Sequence, residues 1–163
     1  MPAWSKRPQE IANLFNPAFC GILLRAAVNG YAVGSKNSMP FELSAIVLPI
    51  VLHAPTRRTL PTTVRTKFHA WLALDPEVRI GLSERIRILV PYTKEAIIFS
   101  ANQQLIALGP NLSLSATAKR ISVASWPKHC ETRECEQRAN FVGRWLADSL
   151  DVATIYSILG IRP

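Results

Sequence analysis

The N-terminal part of the chain places apolar residues at the three- and four-residue spacing of an α-helix. Asn16 followed by Pro17 is typical of a helix start, because asparagine caps free N–H groups and proline offers none. One face of the helix predicted over 17–29 carries Phe19, Leu23, Ala26 and Ala27. The other side is also apolar and Arg25 is its only charge, so we expect protein to cover this helix on all sides.

A second apolar helix follows after a short polar stretch. Asn29-Gly30 is predicted to end the first helix in a left-handed cap, and Pro40 to open a helix from Phe41 to Leu52. Two largely uncharged helices exceed what one small core needs, which leaves apolar surface for a subunit contact. The proline- and arginine-bearing segment 53–63 is predicted to be a loop.

The middle of the chain changes from helical periodicity to two short apolar runs. Three helices are predicted here: the first near 62–74, the second after Asp75-Pro76, with its apolar positions between 82 and 90, and the third from 93 to about 103. We expect Pro91 to stop the second of them. The apolar runs 105–108 and 112–116 flank Gly109-Pro110-Asn111 and predict a β-hairpin. Three helices and a hairpin, in this order, predict a winged-helix-like segment over 40–118.

The C-terminal part is again helical. A helix is predicted around the apolar positions Cys135, Ala139, Val142 and Leu146. Asp151 is expected to cap a final short helix that ends at Gly160. The predicted fold is therefore mainly α, a compact single domain over residues 1–163. Its parts are an N-terminal arm with a buried helix (1–39), the winged-helix-like segment (40–118) and C-terminal helices (119–163).

Length and composition indicate one ordinary globular domain. A chain of 163 residues buries enough surface to fold without disulfides or metal, so Cys20, Cys130 and Cys135 are optional for stability. An odd number of cysteines and no apparent leader favour the cytoplasm. The longest uncharged stretches are about 14 residues, shorter than a membrane-spanning helix requires, so no membrane contact is expected.

A net charge of +8 favours an acidic partner surface or a nucleic acid. If the chain is a DNA-binding protein, the residues expected on phosphates are Arg57, Arg58, Lys67, Arg85, Arg87 and Lys94. The predicted third helix, however, has Lys94 as its one cation and carries the apolar run Ile97-Ile98-Phe99. Because a helix that reads bases needs more polar side chains, we favour protein contacts for this segment.

The sequence offers few groups for catalysis. His53, His69 and His129 lie on three separate predicted elements, and no pair of carboxylates forms an acid–base signature. Cys130 and Cys135 have a spacing that zinc sites use, but no second ligand pair completes four ligands. The dispersed glycines form no phosphate-binding loop. We therefore predict no catalytic residue, no metal and no cofactor, and a chain that is not an enzyme.

Two terminal segments carry a resemblance to a known family. They are Trp4 to Gly21 (WSKRPQEIANLFNPAFCG) and Ala153 to Pro163 (ATIYSILGIRP). The chain resembles the middle component of bacterial three-component ABC systems, the group that includes Lamassu antiphage and antiplasmid defence. The resemblance implies two partners: a coiled-coil ATPase of the Rad50 or chromosome-maintenance kind, and an effector that is often a nuclease.

The implied role is that of a non-catalytic adaptor that holds the effector inactive until foreign DNA ends engage the ATPase. A non-specific contact with DNA inside such a complex is compatible with the charge. The family-like ends supply the expected partner-binding residues Trp4, Arg7, Asn16, Pro17, Phe19, Tyr156 and Arg162. The alternative function is a free-standing winged-helix DNA-binding regulator.

Overall fold

The computed structural model describes residues 6–74, 76–121, 126–127, 130–149 and 151–161 and has a mainly helical architecture, as predicted. The helices are α1 (Gln9–Leu14), α2 (Pro17–Ser35), α3 (Phe41–Val51), α4 (Ala54–Arg58), α5 (Phe68–Leu74), α6 (Pro76–Asn102), α7 (Glu131–Ala147) and α8 (Val152–Leu159). The strands are β1 (Met39–Pro40), β2 (Ile106–Leu108) and β3 (Ser113–Ala116). The core forms where α2, α3, α6 and α7 pack together.

Helix α2 starts as predicted and ends later than predicted. The Asn16 side chain accepts a hydrogen bond from the Ala18 N–H at 2.9 Å, which caps the helix. The predicted end at Gly30 is wrong, because the helix continues to a left-handed cap at Lys36. Gly30 is instead a packing residue, since a Cβ there would overlap the backbone carbonyl of Asn140 in α7.

Small residues let α2 and α7 approach backbone to backbone. A Cβ on Gly143 of α7 would overlap the Ala27 carbonyl of α2, and a Cβ on Gly34 would lie 2.8 Å from the Cβ of Ala147. By length and composition alone, residues Gln9–Ser35 could cross a membrane. The cap at Asn16 interrupts that stretch, and α2 packs against α3, α6 and α7 as a core helix. The evidence for a membrane span is therefore weak.

Helix α6 crosses the break that the sequence predicts. The predicted stop at Pro91 is wrong, and the second and third predicted helices are one helix of 27 residues. Proline removes one helical hydrogen bond, but Pro91 lies on the exposed side and buried residues continue on both sides of it. The buried stripe that holds the helix together consists of Leu82, Ile86, Leu89, Thr93, Ala96, Ile97 and Ser100.

The remaining middle segment agrees with the predictions in part. The hairpin is confirmed, with β2 and β3 antiparallel and Ile106 opposite Ala116. The two-residue strand β1 adds to β3 and was not predicted. Helix α4 lies in the predicted loop 53–63, and α5 is shorter than its predicted range. The winged-helix arrangement is not confirmed, because the long α6 replaces the two helices that would enclose a turn.

The C-terminal helices match the sequence pattern. Asp151 caps α8 by accepting a hydrogen bond from the Thr154 N–H at 3.0 Å. Gly160 ends α8 with φ 65°, the left-handed conformation that favours glycine. Helix α8 packs against α6 and α5, which brings the C-terminal end of the described chain to the side of α6.

Candidate functional site

Two apolar grooves lie at opposite ends of the buried helix α3. The N-terminal groove has a volume of about 680 Å³. On the side of α3 it is lined by Leu52, the residue that follows the helix. The α6 groove consists of two adjoining depressions of about 370 and 320 Å³ that share Phe41 and Lys94. Because α3 has 11 residues, the ends that border the two grooves are about 16 Å apart. The chain therefore offers two separate concave surfaces.

The N-terminal groove contains residues that the sequence singled out. Asn16 and Phe19 line it, and the Phe19 ring meets Trp126 edge-on with centroids 5.9 Å apart. Leu14 is 47% exposed at the same groove. Pro17 opens α2 beside the cap and performs the helix-start function that its position indicates.

Arg57 lies at the base of the N-terminal groove and hydrogen-bonds within the chain. Its side chain is 3% exposed and donates hydrogen bonds to the Val51 carbonyl at 2.7 Å and to Glu131 at 2.6 Å. Glu134 accepts a third at 3.2 Å. Burial alone would lower the pKa of Arg57, but these carboxylates outweigh it and raise the pKa. Each of the three guanidinium nitrogens of Arg57 thus donates within the chain, and its contact with DNA stays a prediction.

Arg7, an expected partner contact, is engaged by the chain itself. Both of its terminal nitrogens donate to the Glu95 carboxylate at 2.8 Å, and the guanidinium lies 5.4 Å from the centre of the Tyr92 ring. The hydrogen bonds to Glu95 raise the pKa of Arg7. Arg7 thus fastens the N-terminal arm to α6, and its contact with a partner stays a prediction.

The α6 groove contains the C-terminal end of the described chain. Tyr156 and Ile161 line it, and the Tyr156 hydroxyl donates to the Glu42 carbonyl at 2.7 Å. Burial raises the pKa of Tyr156 to about 12, so the hydroxyl stays protonated and anchors α8 to α3. Trp4 and Arg162, the two remaining partner candidates, lie outside the described residues.

Apolar side chains form most of the α6 groove, and Arg87 and Lys94 line it with them. Lys94, which both depressions share, lies one turn from Val90 and one turn from Ile98 on the same side of α6. Ile98 is 62% exposed and Leu108 is 49% exposed, both in the depression that Phe41 and Lys94 border. Arg87 and Lys94 are exposed on α6, seven residues and therefore about two turns apart. In the sequence, the run Ile97-Ile98-Phe99 favoured a protein contact in this part of α6. No sequence feature pointed to Leu108 in this groove or to Trp126 in the N-terminal groove.

The other predicted phosphate contacts do not form one basic track with these cations. Lys67 is paired with Asp148 at 2.9 Å, and Arg85 donates to the Thr56 hydroxyl at 2.8 Å. Burial lowers the pKa of Arg85. Arg58 is exposed on α4. Of the six predicted residues, Arg87 and Lys94 share the α6 groove, and Arg57, Lys67, Arg85 and also Arg87 hydrogen-bond to other parts of the chain.

The titratable side chains show structural roles. His53 accepts a hydrogen bond from the Thr56 N–H and caps α4, and burial, with the nearby Arg85 charge, lowers its pKa. Burial raises the pKa of Cys20 to about 12, which makes it an inert core thiol. Within the described ranges, no three histidine, cysteine, aspartate or glutamate side chains group as metal ligands. His129 lies outside the described residues.

Comparison with known proteins adds one finding. Residues 4–163 match the family model described as ABC-three component (ABC-3C) system Middle Component 3. No curated protein and no solved structure matches the chain. The family match covers both terminal segments that carry the resemblance, and also the middle of the chain, where the resemblance was weakest.

Proposed function

The chain belongs to the Middle Component 3 family of ABC-three component systems, and from this premise we propose that it is a non-catalytic adaptor that joins the other two subunits. It is a component of a multi-subunit defence system by its family. The partners we propose are a coiled-coil ATPase of the Rad50 or chromosome-maintenance kind and an effector, a nuclease in a Lamassu-type arrangement. The complex is proposed to act in the cytoplasm.

The observation that carries this proposal is the pair of separate grooves at the two ends of α3. An adaptor needs two surfaces that two partners can occupy at once, and the described chain has an apolar floor in each groove. Their edges differ in charge. Exposed Glu10 lines the N-terminal groove, together with Glu131 in its ion pair with Arg57. Exposed Arg87 and Lys94 line the α6 groove, together with Glu42.

Because the residues that line them differ in charge, we expect the two grooves to bind different partners. We propose that the N-terminal groove takes an apolar segment that carries cationic side chains, because like charges across an interface are destabilising. The α6 groove then excludes that segment, since its cations would face Arg87 and Lys94. This arrangement prevents one partner from occupying both ends of α3.

The free-standing DNA-binding regulator receives no specific support. The recognition helix that it needs is part of the continuous α6, and the side of α6 at the groove carries Ile98. Arg57, one of its expected phosphate contacts, is buried against two carboxylates. A charge of +8 remains compatible with a non-specific DNA contact inside the complex.

The proposal is tested by co-expressing the chain with the proposed ATPase and effector subunits and purifying through a tag on the ATPase. We expect the effector to co-purify when this chain is present and to be lost when it is omitted. Leu14→Asp, at the N-terminal groove, should release one partner and retain the other.

Val33→Asp is the matched control, because Val33 is exposed on α2 and lies outside both grooves. This variant should retain both partners. The adaptor function is wrong if the ATPase and effector associate equally well without the chain, or if the chain binds neither of them.

A further inference from the structure

We infer that the α6 groove binds an amphipathic helix of a partner subunit that carries acidic side chains along one edge. This inference rests on the adaptor function proposed above and identifies the chemistry of one of its two contacts. It is carried by the length of the apolar floor and by the charges that border it.

The floor of the groove has the length of a docked helix. Residues that line it recur along one side of α6 from Ile86 to Ala101, which is about 22 Å, or four helical turns. Phe41 and Ala45 of α3 form a second wall, and Ile161 closes the end. A groove between two helices, with apolar side chains at its base, accommodates the apolar face of a third helix of about 15 residues.

The charges at the groove select the sign of the partner. Arg87 and Lys94 are exposed on α6, and Glu42 is the one acid among the described residues that line the groove. Arg87 donates to the Gly160 carbonyl at 3.3 Å, which holds its cation beside the C-terminal end of α8. Acidic residues two turns apart on the partner helix would reach both cations.

A second copy of this chain and a DNA duplex fit the groove less well. Two copies that share this surface would bring Arg87 and Lys94 of each chain together, in a protein that already has a charge of +8. A duplex needs a row of cations and polar side chains, whereas Ile98 and Leu108 are the exposed residues of the floor. An acidic amphipathic helix satisfies both the apolar floor and the cationic edge.

The experiment measures the affinity of the purified chain for each of the two proposed partner subunits alone. Ile98→Asp should weaken binding of one subunit by about tenfold or more, since it places an unpaired charge in the floor. Ile88→Asp is the matched control: Ile88 is 58% exposed on the same helix, against 62% for Ile98, and does not line the groove. It should change the affinity less than about twofold.

A second pair of variants tests the charge. Lys94→Glu should weaken binding of the same subunit by about fivefold, whereas Lys36→Glu, which changes the net charge equally on an exposed helix cap, should leave it unchanged. Binding by the unmodified chain should weaken as salt rises. If both lysine variants have equal effects, the chain's net charge explains binding and the inference is wrong.

A photo-crosslinking side chain at position 98 identifies the occupant directly. We expect a peptide of the partner subunit with apolar residues at helical spacing and at least two acidic residues along one edge. A peptide without acidic residues, a second copy of this chain, or co-purified DNA would overturn the inference. If the chain binds its partners and Ile98→Asp has no effect, only the groove assignment fails; if it binds neither, the adaptor function fails as well.

Discussion

The two longest of the described helices, α2 and α6, differ in how many charges they carry and in how far the fold covers them. Helix α2 has Arg25 as its only charge and packs against α3, α6 and α7. Helix α6 carries charged side chains along its length, and its outer side remains open to solvent. The more apolar helix is thus the one that the fold covers, and the more polar helix presents the groove.

Even the charge of α2 is used within the chain. The Arg25 guanidinium donates to the carbonyls of Leu105 at 3.2 Å and Thr117 at 3.0 Å, and so holds the two ends of the hairpin. In α6, by contrast, Ile98 is 62% exposed, one turn after Lys94. An apolar helix is therefore a sign of burial, whereas exposed apolar residues that share a groove with other apolar side chains, as Ile98 does with Leu108, indicate a surface for another subunit.

The largest effect on stability is expected where the backbones of α2 and α7 pack in direct contact. Gly143→Leu should destabilise the fold by about 3 kcal/mol or more, because its side chain would overlap the Ala27 backbone, which cannot move aside as a side chain can. Urea unfolding followed by circular dichroism measures this change. Gly81→Ala on α6 is the control: its Cβ would meet only the end of the Arg85 side chain, so stability should change by less than about 1 kcal/mol. Equal effects at both glycines would contradict the contrast between the helices.

A smaller effect on stability is expected when a buried cation is removed. Arg57→Met should lower the free energy of unfolding by about 2 kcal/mol, because it leaves the Val51 carbonyl and two carboxylates without their donor. Lys94→Met, on the open side of α6, should change it by less than about 0.5 kcal/mol. Denaturant unfolding of both variants, side by side, measures the difference. A stable Arg57→Met protein would show that the ion pairs contribute little.

The smallest effect concerns thiol reactivity and its dependence on pH. Cys20, buried in α2, has its pKa raised to about 12, so it should resist alkylation in the folded protein at every pH below that value. A hydrogen bond with Thr132 lowers the pKa of Cys130, so this partly buried thiol should be alkylated faster than Cys20, and its rate should rise with pH. Mass spectrometry after timed alkylation measures both rates. Rapid labelling of Cys20 without denaturant would mean that this side of α2 is not buried in the core.

Local signals in the sequence were sufficient for several features of the fold. The cap at Asn16, the cap at Asp151 and the left-handed end at Gly160 depend on a few adjacent residues, and all are confirmed. The hairpin was equally local, since its turn residues lie between two apolar runs. For the site, the run Ile97-Ile98-Phe99 favoured a protein contact, and Ile97 and Ile98 of this run line the α6 groove. That contact stays a prediction.

The errors arose where a distant contact outweighed a local preference. Gly30 has the local features of a helix end, but Asn140, 110 residues away, makes it a packing position and the helix continues. Pro91 has the local features of a stop, but the buried stripe on both sides of it keeps α6 in one piece. The partners of Arg57 also depend on distant contacts, because Glu131 and Glu134 lie 74 and 77 residues away in sequence. Its expected contact with phosphate stays a prediction.

The sequence by itself therefore determined where helices begin, which stretches are apolar and which family the terminal segments resemble. These properties depend on neighbouring residues and on their order along the chain. Only the tertiary structure decided which apolar residues remain uncovered and which cations remain unpaired, because both depend on segments that are far apart in sequence. The α6 groove is such a property, since α3, α6, β2 and the end of α8 each supply part of it.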